Sequence, residues 1–263
     1  MTSEQQQPDP NQTTQPGIDD LRANHTPAAI RERLLSDPDH SYLRDFVYGA
    51  IDGAVTTFAV VSGVAGAELS TGIVIVLGAA NLVGDGFSMA AGNYLGTRAE
   101  QQVRSRARRK EEQEIETYPE GEREEIRQIL EQKGFTGEEL KRAVEVITSD
   151  KDQWVDMMMT EELGLPLHGP DPFKAALSTF VAFLVVGLIP LLPFINHHLD
   201  LVGVSSPFVW SSVLTGIAFF GVGVAKSKFV EQRWYWSGLE TLLIGGSAAV
   251  LAYVVGAMLK GIA

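Results

Sequence analysis

The sequence predicts an all-α integral membrane protein with five transmembrane helices and a helical insert between the second and the third. Five stretches are apolar over about 20 residues, the length that a helix needs to cross a bilayer. Nearly all acidic residues lie before the first of these stretches or in one block from Arg98 to Asp171. The whole-chain average of 45% hydrophobic residues conceals this uneven distribution.

The first two predicted spans are joined by a short turn, so we expect them to form a tight hairpin. A short amphipathic segment precedes the first span, and the Gln- and Pro-rich residues before it are typical of a disordered tail. The predicted spans are Phe46–Ala67, Gly72–Gly96, Phe173–Ile195, Pro207–Ala225 and Trp236–Leu259.

The orientation follows from Lys and Arg near the ends of the spans. Arg44 precedes the first span, a basic run from Arg98 to Lys110 follows the second, and Lys226, Lys228 and Arg233 lie between the last two. The other two connections carry no Lys or Arg, and only Lys260, after the last span, departs from this distribution. This asymmetry predicts a cytoplasmic N-terminus and insert, with the C-terminus on the opposite side.

The insert is predicted to be helical throughout. Good helix formers from Arg98 to Glu116 extend the second span, and Pro119 begins a helix that stops at Gly134. Thr136 and Glu139 have the spacing of a capping box for a third helix. Asp150 or Asp152 is expected to cap a fourth helix that ends near Gly164.

Charge and cysteine content narrow the possible partners. A net charge of −12 argues against nucleic acid, which requires a basic face, and is compatible with cations. The chain contains no cysteine, so a metal site has to use carboxylate, imidazole, thioether or backbone oxygen.

Polar side chains line one face of the second predicted span. Asn81, Asp85 and Met89 are spaced i, i+4 and i+8, which places an amide, a carboxylate and a thioether along about 12 Å of helix. Asp52 of the first span is placed to complete a passage, because ionisable groups inside a membrane are costly and usually functional. The alternative is that Asp52 extends to the interface and Asn81 hydrogen-bonds between helices.

A second set of possible ligands lies in the insert. Glu100, Glu111 and Glu114 fall within an arc of about 60° on one helix, but Glu100 is roughly 16 Å from Glu111 along the axis. The set therefore predicts several ions, or ligands from another helix or subunit.

Methionines provide the softer ligands of the insert. Met158 and Met159 precede Glu162 by four and three residues and flank its carboxylate on a helix. The alternative is a methionine-rich packing edge beside a solvated acidic helix. The remaining glutamates are expected to be solvated and to pair with basic residues; they are Glu112, Glu116, Glu120, Glu122, Glu124 and Glu125.

The order of motifs resembles the vacuolar iron transporter family. The motifs are RDFVYGAIDGAVTTFAVVSG in the first span, ANLVGDGFSMAAGNYL in the second, WVDMMMTEELGL at the end of the insert, then PDPFKAAL and IPLLPF. The resemblance runs from about Tyr42 to Leu259. It implies a homodimer with five helices per subunit that exchanges Fe²⁺, and often Mn²⁺, for protons.

The resemblance also implies roles for individual residues. Asp52 and Met89 match positions on the translocation path, but the usual acid of the second span falls on Asn81. We hypothesise that Asp85 replaces the lost charge. Another acidic position of the insert falls on Val103. The matching positions of the insert are Glu100, Glu111, Glu114, Met158, Met159 and Glu162.

These inferences predict a non-enzymatic, proton-coupled transporter that moves Fe²⁺, with Mn²⁺, Co²⁺ or Zn²⁺ as further substrates, out of the cytosol. We expect a homodimer in a bacterial inner membrane. The alternative is a membrane-tethered ferroxidase or metal sensor without transport, although the di-iron Glu-x-x-His motif is missing. The predicted domains are residues 1–27 (disordered tail), 28–96 (amphipathic segment and two spans), 97–172 (cytoplasmic helical metal-binding domain) and 173–263 (three spans).

Overall fold

A computed structural model describes residues 17–35, 40–200, 203, 205–230 and 232–261. The chain divides into two units, and the boundary in the sequence lies between residues 39 and 40. The first unit contains two short helices, α1 (Ile18–Asn24) and α2 (Pro27–Leu35). Helix α1 lies within the stretch predicted to be a disordered tail, of which residues 1–16 lie outside the described residues.

The second unit contains the helices that are long and apolar enough to cross a membrane. By length and composition there are five in the described part of the chain, so the predicted number is confirmed. These spans are Leu43–Gly66 (α3), Thr71–Thr117 (α4), Pro172–Leu199, Pro207–Val230 (α10) and Trp234–Leu259 (α11).

The third span is interrupted, whereas the sequence predicted one continuous stretch. It consists of α8 (Pro172–Gly187), a 3₁₀ turn (Ile189–Leu191) and α9 (Leu192–Leu199). Pro190 and Pro193 lack the amide hydrogens that a continuous α-helix would use, so the helix tightens and restarts here.

Helix α4 runs without a break from the second span into the insert. Its 47 residues make it about 70 Å long. It ends at Thr117 because Tyr118, which precedes a proline, takes a non-helical conformation (φ −140°, ψ 63°). Glu111 and Glu114 are thus held on the same rigid rod as Asn81 and Asp85.

Three further helices complete the insert: α5 (Pro119–Gln132), α6 (Gly137–Thr148) and α7 (Lys151–Met157). Gly134, after α5, has a φ of +97°, a conformation that glycine adopts without strain. The side chain of Thr136 makes no capping hydrogen bond, so the predicted capping box is not formed. Asp150 does cap α7, because its Oδ1 accepts a hydrogen bond of 3.1 Å from the Gln153 amide.

A π-helical turn, Met158–Glu162, follows α7 directly. The Leu163 amide donates to the Met158 carbonyl at 3.2 Å, five residues back, which widens the turn. Such turns are rare and often occur at functional sites. The sequence predicted an ordinary helix over these residues.

Helix α3 lies at the centre of the membrane helices, because it contacts α4, α8, α10 and α11. A Cβ atom on Gly49 or Gly53 would collide with the backbone of Thr179 or Phe183 in α8. These glycines therefore serve packing within the chain. On α4, a Cβ on Gly92 or Gly96 would meet no atom of the described structure.

Candidate functional site

The candidate transport path contains one acidic side chain on α3 and one on α4. Asp52 and Asp85 are both partly buried, and they are near enough for their charges to interact. Met89 packs against the apolar core of the membrane helices. The structure thus brings together the two carboxylates that were predicted from different helices.

Asn81 joins the same two helices by a hydrogen bond. Its Nδ2 donates to Thr56 Oγ1 at 3.2 Å, in a partly buried position. This is the interhelical contact that the sequence left as an alternative for Asn81. The contact leaves the carbonyl oxygen of the amide with capacity to accept from water or to bind a cation.

A further polar contact lies two to three turns from Asp85 and was missed in the sequence. Asn93 Nδ2 donates to Asp45 Oδ1 and to Thr179 Oγ1, both at 2.8 Å, and so ties α4 to α3 and α8. Thr97 Oγ1 donates back to Asn93 Oδ1 at 3.3 Å. The signal was available, because Asn93 and Thr97 continue the i, i+4 spacing of Asn81, Asp85 and Met89.

The methionines of the insert are buried, in keeping with the packing alternative. Met158 and Met159 are 0% and 2% exposed, and they share a core with Ile115, Trp154 and Val155. The π-turn that carries these methionines contacts both α4 and α5. Their thioethers therefore lie where α4, α5 and the π-turn meet.

The carboxylates of the insert differ widely in exposure. Glu111 is 1% exposed, and its Oε1 has no hydrogen-bond partner among the described residues. Lys110 Nζ lies 3.6 Å from that oxygen and 2.6 Å from Glu114 Oε2. Glu162 is exposed. Glu100 is exposed three turns earlier on α4, away from this group.

The prediction that Glu122 is solvated is wrong. This side chain is only 7% exposed, and its Oε2 has no hydrogen-bond partner in the described part of the chain. It occupies the core-facing row of α5 together with Ile126 and Leu130. Charged neighbours in the sequence concealed this row, since six of the eight residues from Glu120 to Arg127 are charged. Others of the set are solvated as expected: Glu124, for example, pairs with Arg127 at 2.6 Å.

These glutamates influence one another's pKa values and so form one electrostatic group. Burial, followed by Glu125, Glu111, Glu114 and Glu162, raises the pKa of Glu122 to about 7. Burial also raises the pKa of Glu111, and partial shielding of the otherwise exposed Glu162 raises its pKa, with neighbouring carboxylates acting in the same direction on both. Lys110 is the cation that opposes this effect. Its own pKa is raised, chiefly by the hydrogen bond to Glu114.

The side chains do not converge on a ready-made ion site. Across the residues that the structure describes, no three Asp, Glu or His side chains are arranged to hold one metal ion. Any ion between α4, α5 and the π-turn would therefore require rotation of side chains, thioether ligands or ligands from another subunit.

Comparison with known proteins matches residues 43–257, from α3 to α11, to the model of the VIT family. The chain belongs to the VIT family. The matched range includes the insert as well as all five spans.

Similar members of this VIT family are named for iron. The vacuolar iron transporter of Toxoplasma gondii is 35% identical over 257 residues, which covers 92% of this chain and 84% of that protein. Vacuolar iron transporter 1 of Arabidopsis thaliana is 36% identical over 216 residues, covering 80% and 83%. The vacuolar iron transporter of Plasmodium falciparum is 30% identical over 228 residues, covering 84% of each chain.

Proposed function

We propose that the chain is a proton-coupled transporter that moves Fe²⁺, and also Mn²⁺, out of the cytosol. The observation that carries the proposal is the position of Asp52 and Asp85 on two adjacent membrane-spanning helices, near enough for their charges to interact. Two carboxylates so placed repel each other unless a cation or protons offset their charge. The relatives named vacuolar iron transporters support iron as the cargo.

Exchange of metal for protons follows from this pair. A divalent cation shared by Asp52 and Asp85 neutralises both carboxylates, and two protons can do the same after the cation leaves. The amide oxygen of Asn81 and the thioether of Met89 are further ligands along α4. A thioether favours Fe²⁺ over harder ions such as Mg²⁺.

In this proposal the insert captures the metal before transport. The buried Glu111 and the partly exposed Glu114 on α4, together with the thioethers of the π-turn, attract divalent cations from the cytoplasm and raise their concentration near the membrane. Glu100, exposed nearer the membrane, would bind a separate ion or act with a second subunit. A homodimer would use the open face of α4 around Gly92 and Gly96.

Transport is tested by uptake of Fe²⁺, Mn²⁺, Co²⁺ and Zn²⁺ into proteoliposomes, with and without a pH gradient. We expect uptake of Fe²⁺ that increases when the interior is acidic, accompanied by release of protons from the lumen. Uptake that ignores the gradient would remove the proton coupling. Binding without any uptake would favour the metal sensor instead.

A further inference from the structure

Two nearly buried glutamates face the interior of the insert from different helices. Glu111 lies on α4 in line with Ile115, one turn later, and Glu122 lies on α5 in line with Ile126. Ile115 and Ile126 belong to the same core as Met158 and Met159. The two carboxylates thus stand at core positions, on the rows whose other members are apolar.

Each carboxylate has one buried oxygen that makes no hydrogen bond, although Lys110 Nζ lies 3.6 Å from that oxygen of Glu111. Glu111 Oε1 and Glu122 Oε2 are both buried without a hydrogen-bond partner in the described residues. A buried carboxylate without a partner costs several kcal/mol, and buried charges in proteins are normally paired or bound to metal. An apolar residue would serve packing better at both positions, so a cationic ligand is the simplest reason for their presence.

The charges around Glu122 indicate the sign of the missing partner. Every charged group that shifts its pKa is a carboxylate, namely Glu125, Glu111, Glu114 or Glu162. Lys110 interacts with Glu111 and Glu114, whereas no lysine or arginine of the described residues is among the groups that shift the pKa of Glu122. The charged side chains that act on Glu122 between α4, α5 and the π-turn are therefore all negative, and the partner that would offset them is a cation.

We propose that Glu122 is a further ligand of the divalent cation bound by the insert, and that it binds the ion from α5 opposite Glu111. The proposal rests on the metal-capture function of the insert. It assigns α5 a direct part in binding, in addition to α4 and the π-turn. The resulting site combines two buried carboxylates with the thioethers of Met158 and Met159, a set suited to Fe²⁺ or Co²⁺.

The full chain in detergent micelles provides the test, with Co²⁺ as an air-stable probe. Trp154 is the only tryptophan of the insert, and it lies in the same core as Met158 and Met159. In a Trp210→Phe/Trp234→Phe/Trp236→Phe background, quenching of Trp154 fluorescence reports Co²⁺ in the insert and is blind to ions bound between the membrane helices far away.

Glu122→Gln keeps the volume of the side chain and removes its charge. We expect it to weaken Co²⁺ binding at least tenfold. Glu120→Gln is the matched control, since Glu120 lies in the same first turn of α5 but is exposed, and it should bind Co²⁺ like the parent. Glu111→Gln tests the capture function itself and should also weaken binding.

The outcomes separate the two proposals. Loss of affinity in Glu111→Gln with parental affinity in Glu122→Gln would overturn the role of Glu122 and leave the capture function intact. Equal loss in Glu122→Gln and Glu120→Gln would also overturn it, because the effect would be one of general charge. No quenching in the parent would overturn both. If Glu122→Gln does not fold, Glu122→Asp decides: its shorter carboxylate should bind more weakly, and parental affinity would contradict the proposal.

Discussion

The acidic residues of the membrane helices and those of the insert are arranged in different ways. Asp52 on α3 and Asp85 on α4 are two partly buried carboxylates whose charges interact, on helices that are also joined by the Asn81–Thr56 hydrogen bond. In the insert five glutamates influence one another, and two of them are buried in an apolar core beside methionines. On the proposed function, we expect the pair in the membrane to release an ion and the larger, more buried group in the insert to retain one. The contrast supports passage in the membrane and capture in the insert.

The two regions are nevertheless mechanically joined. Helix α4 carries both Asp85 and Glu111, and it has no break between them. At the base of the insert, the Tyr42 hydroxyl accepts a hydrogen bond of 3.1 Å from the Asp171 amide, just before α8. Asn93, on the part of α4 next to the insert, hydrogen-bonds to Asp45 of α3 and to Thr179 of α8. To measure metal transport through the membrane helices separately from metal capture by the insert, a substitution has to affect only one of the two regions.

The largest effect is expected for Asp52→Asn. Removing one of the paired carboxylates should abolish metal flux, a loss of at least about a hundredfold if the pair contributes about 3 kcal/mol to moving the ion. Binding of Co²⁺ to the insert should be unchanged. Proteoliposome flux and Trp154 quenching measure the two properties separately.

Asp200→Asn is the control for this variant. Asp200 is exposed after α9 with a φ of 50°, a conformation that asparagine also tolerates. It should transport like the parent. Normal flux in Asp52→Asn would contradict passage through the pair, and normal flux in Asp85→Asn would contradict the replacement of the lost acid by Asp85.

A smaller effect is expected in the stability of the metal-free insert. The pKa of Glu122 is raised from 4.5 to about 7 in the folded protein, so the folded state retains a proton that the unfolded chain releases above pH 4.5. The free energy of unfolding should therefore be highest below pH 4.5 and fall as the pH rises through 7, by at most about 3 kcal/mol. Glu111 and Glu162 act in the same direction.

Urea unfolding followed by Trp154 fluorescence in the presence of EDTA measures this dependence. Glu122→Gln should be less sensitive to pH than the parent, since it carries no titrating group at that position. Addition of Co²⁺ at pH 8 should restore stability to the parent. A parent that becomes more stable between pH 5 and pH 8 without metal would contradict the burial of these acids.

The comparison also explains what could be predicted from the sequence. Five apolar stretches and the Pro119 and Gly134 signals are local properties, and they predicted the spans and the start and end of α5 well. The burial of Glu122 is not local. It depends on which face of α5 packs against α4, and charged residues on both sides of Glu122 hide that face.

The break in the third span has a local signal in the sequence, whereas the π-turn has none. Pro190 and Pro193 were visible in the sequence and carry a local reason for the break, so this interruption could have been predicted. Met158–Glu162 contains no residue that demands a π-helix. Its widened turn depends on packing against α4 and α5, which sequence spacing alone does not define.

An effect smaller than this pH dependence is expected for Glu111→Gln. Removing this buried carboxylate should weaken binding of Co²⁺ to the insert about tenfold, or about 1.4 kcal/mol. Because the membrane pair is untouched, flux should fall at low metal concentration and recover at saturating concentration. Glu116→Gln is the control, because Glu116 is exposed near the end of α4 and pairs with Lys151. A lower maximal flux in Glu111→Gln would mean that the insert participates in passage.

The smallest effect is expected for Lys110→Met. Lys110 Nζ donates to Glu114 at 2.6 Å and lies near Glu111, so a divalent cation has to displace this ammonium group when it binds. An exposed ion pair is worth about 0.2–1 kcal/mol, and its removal should strengthen Co²⁺ binding about two- to fivefold. Lys141→Met removes a similar exposed pair, with Glu138 on α6, and should leave binding unchanged. Weaker binding in Lys110→Met would mean that the lysine orients the glutamates for the ion, and that capture depends on their arrangement more than on their net charge.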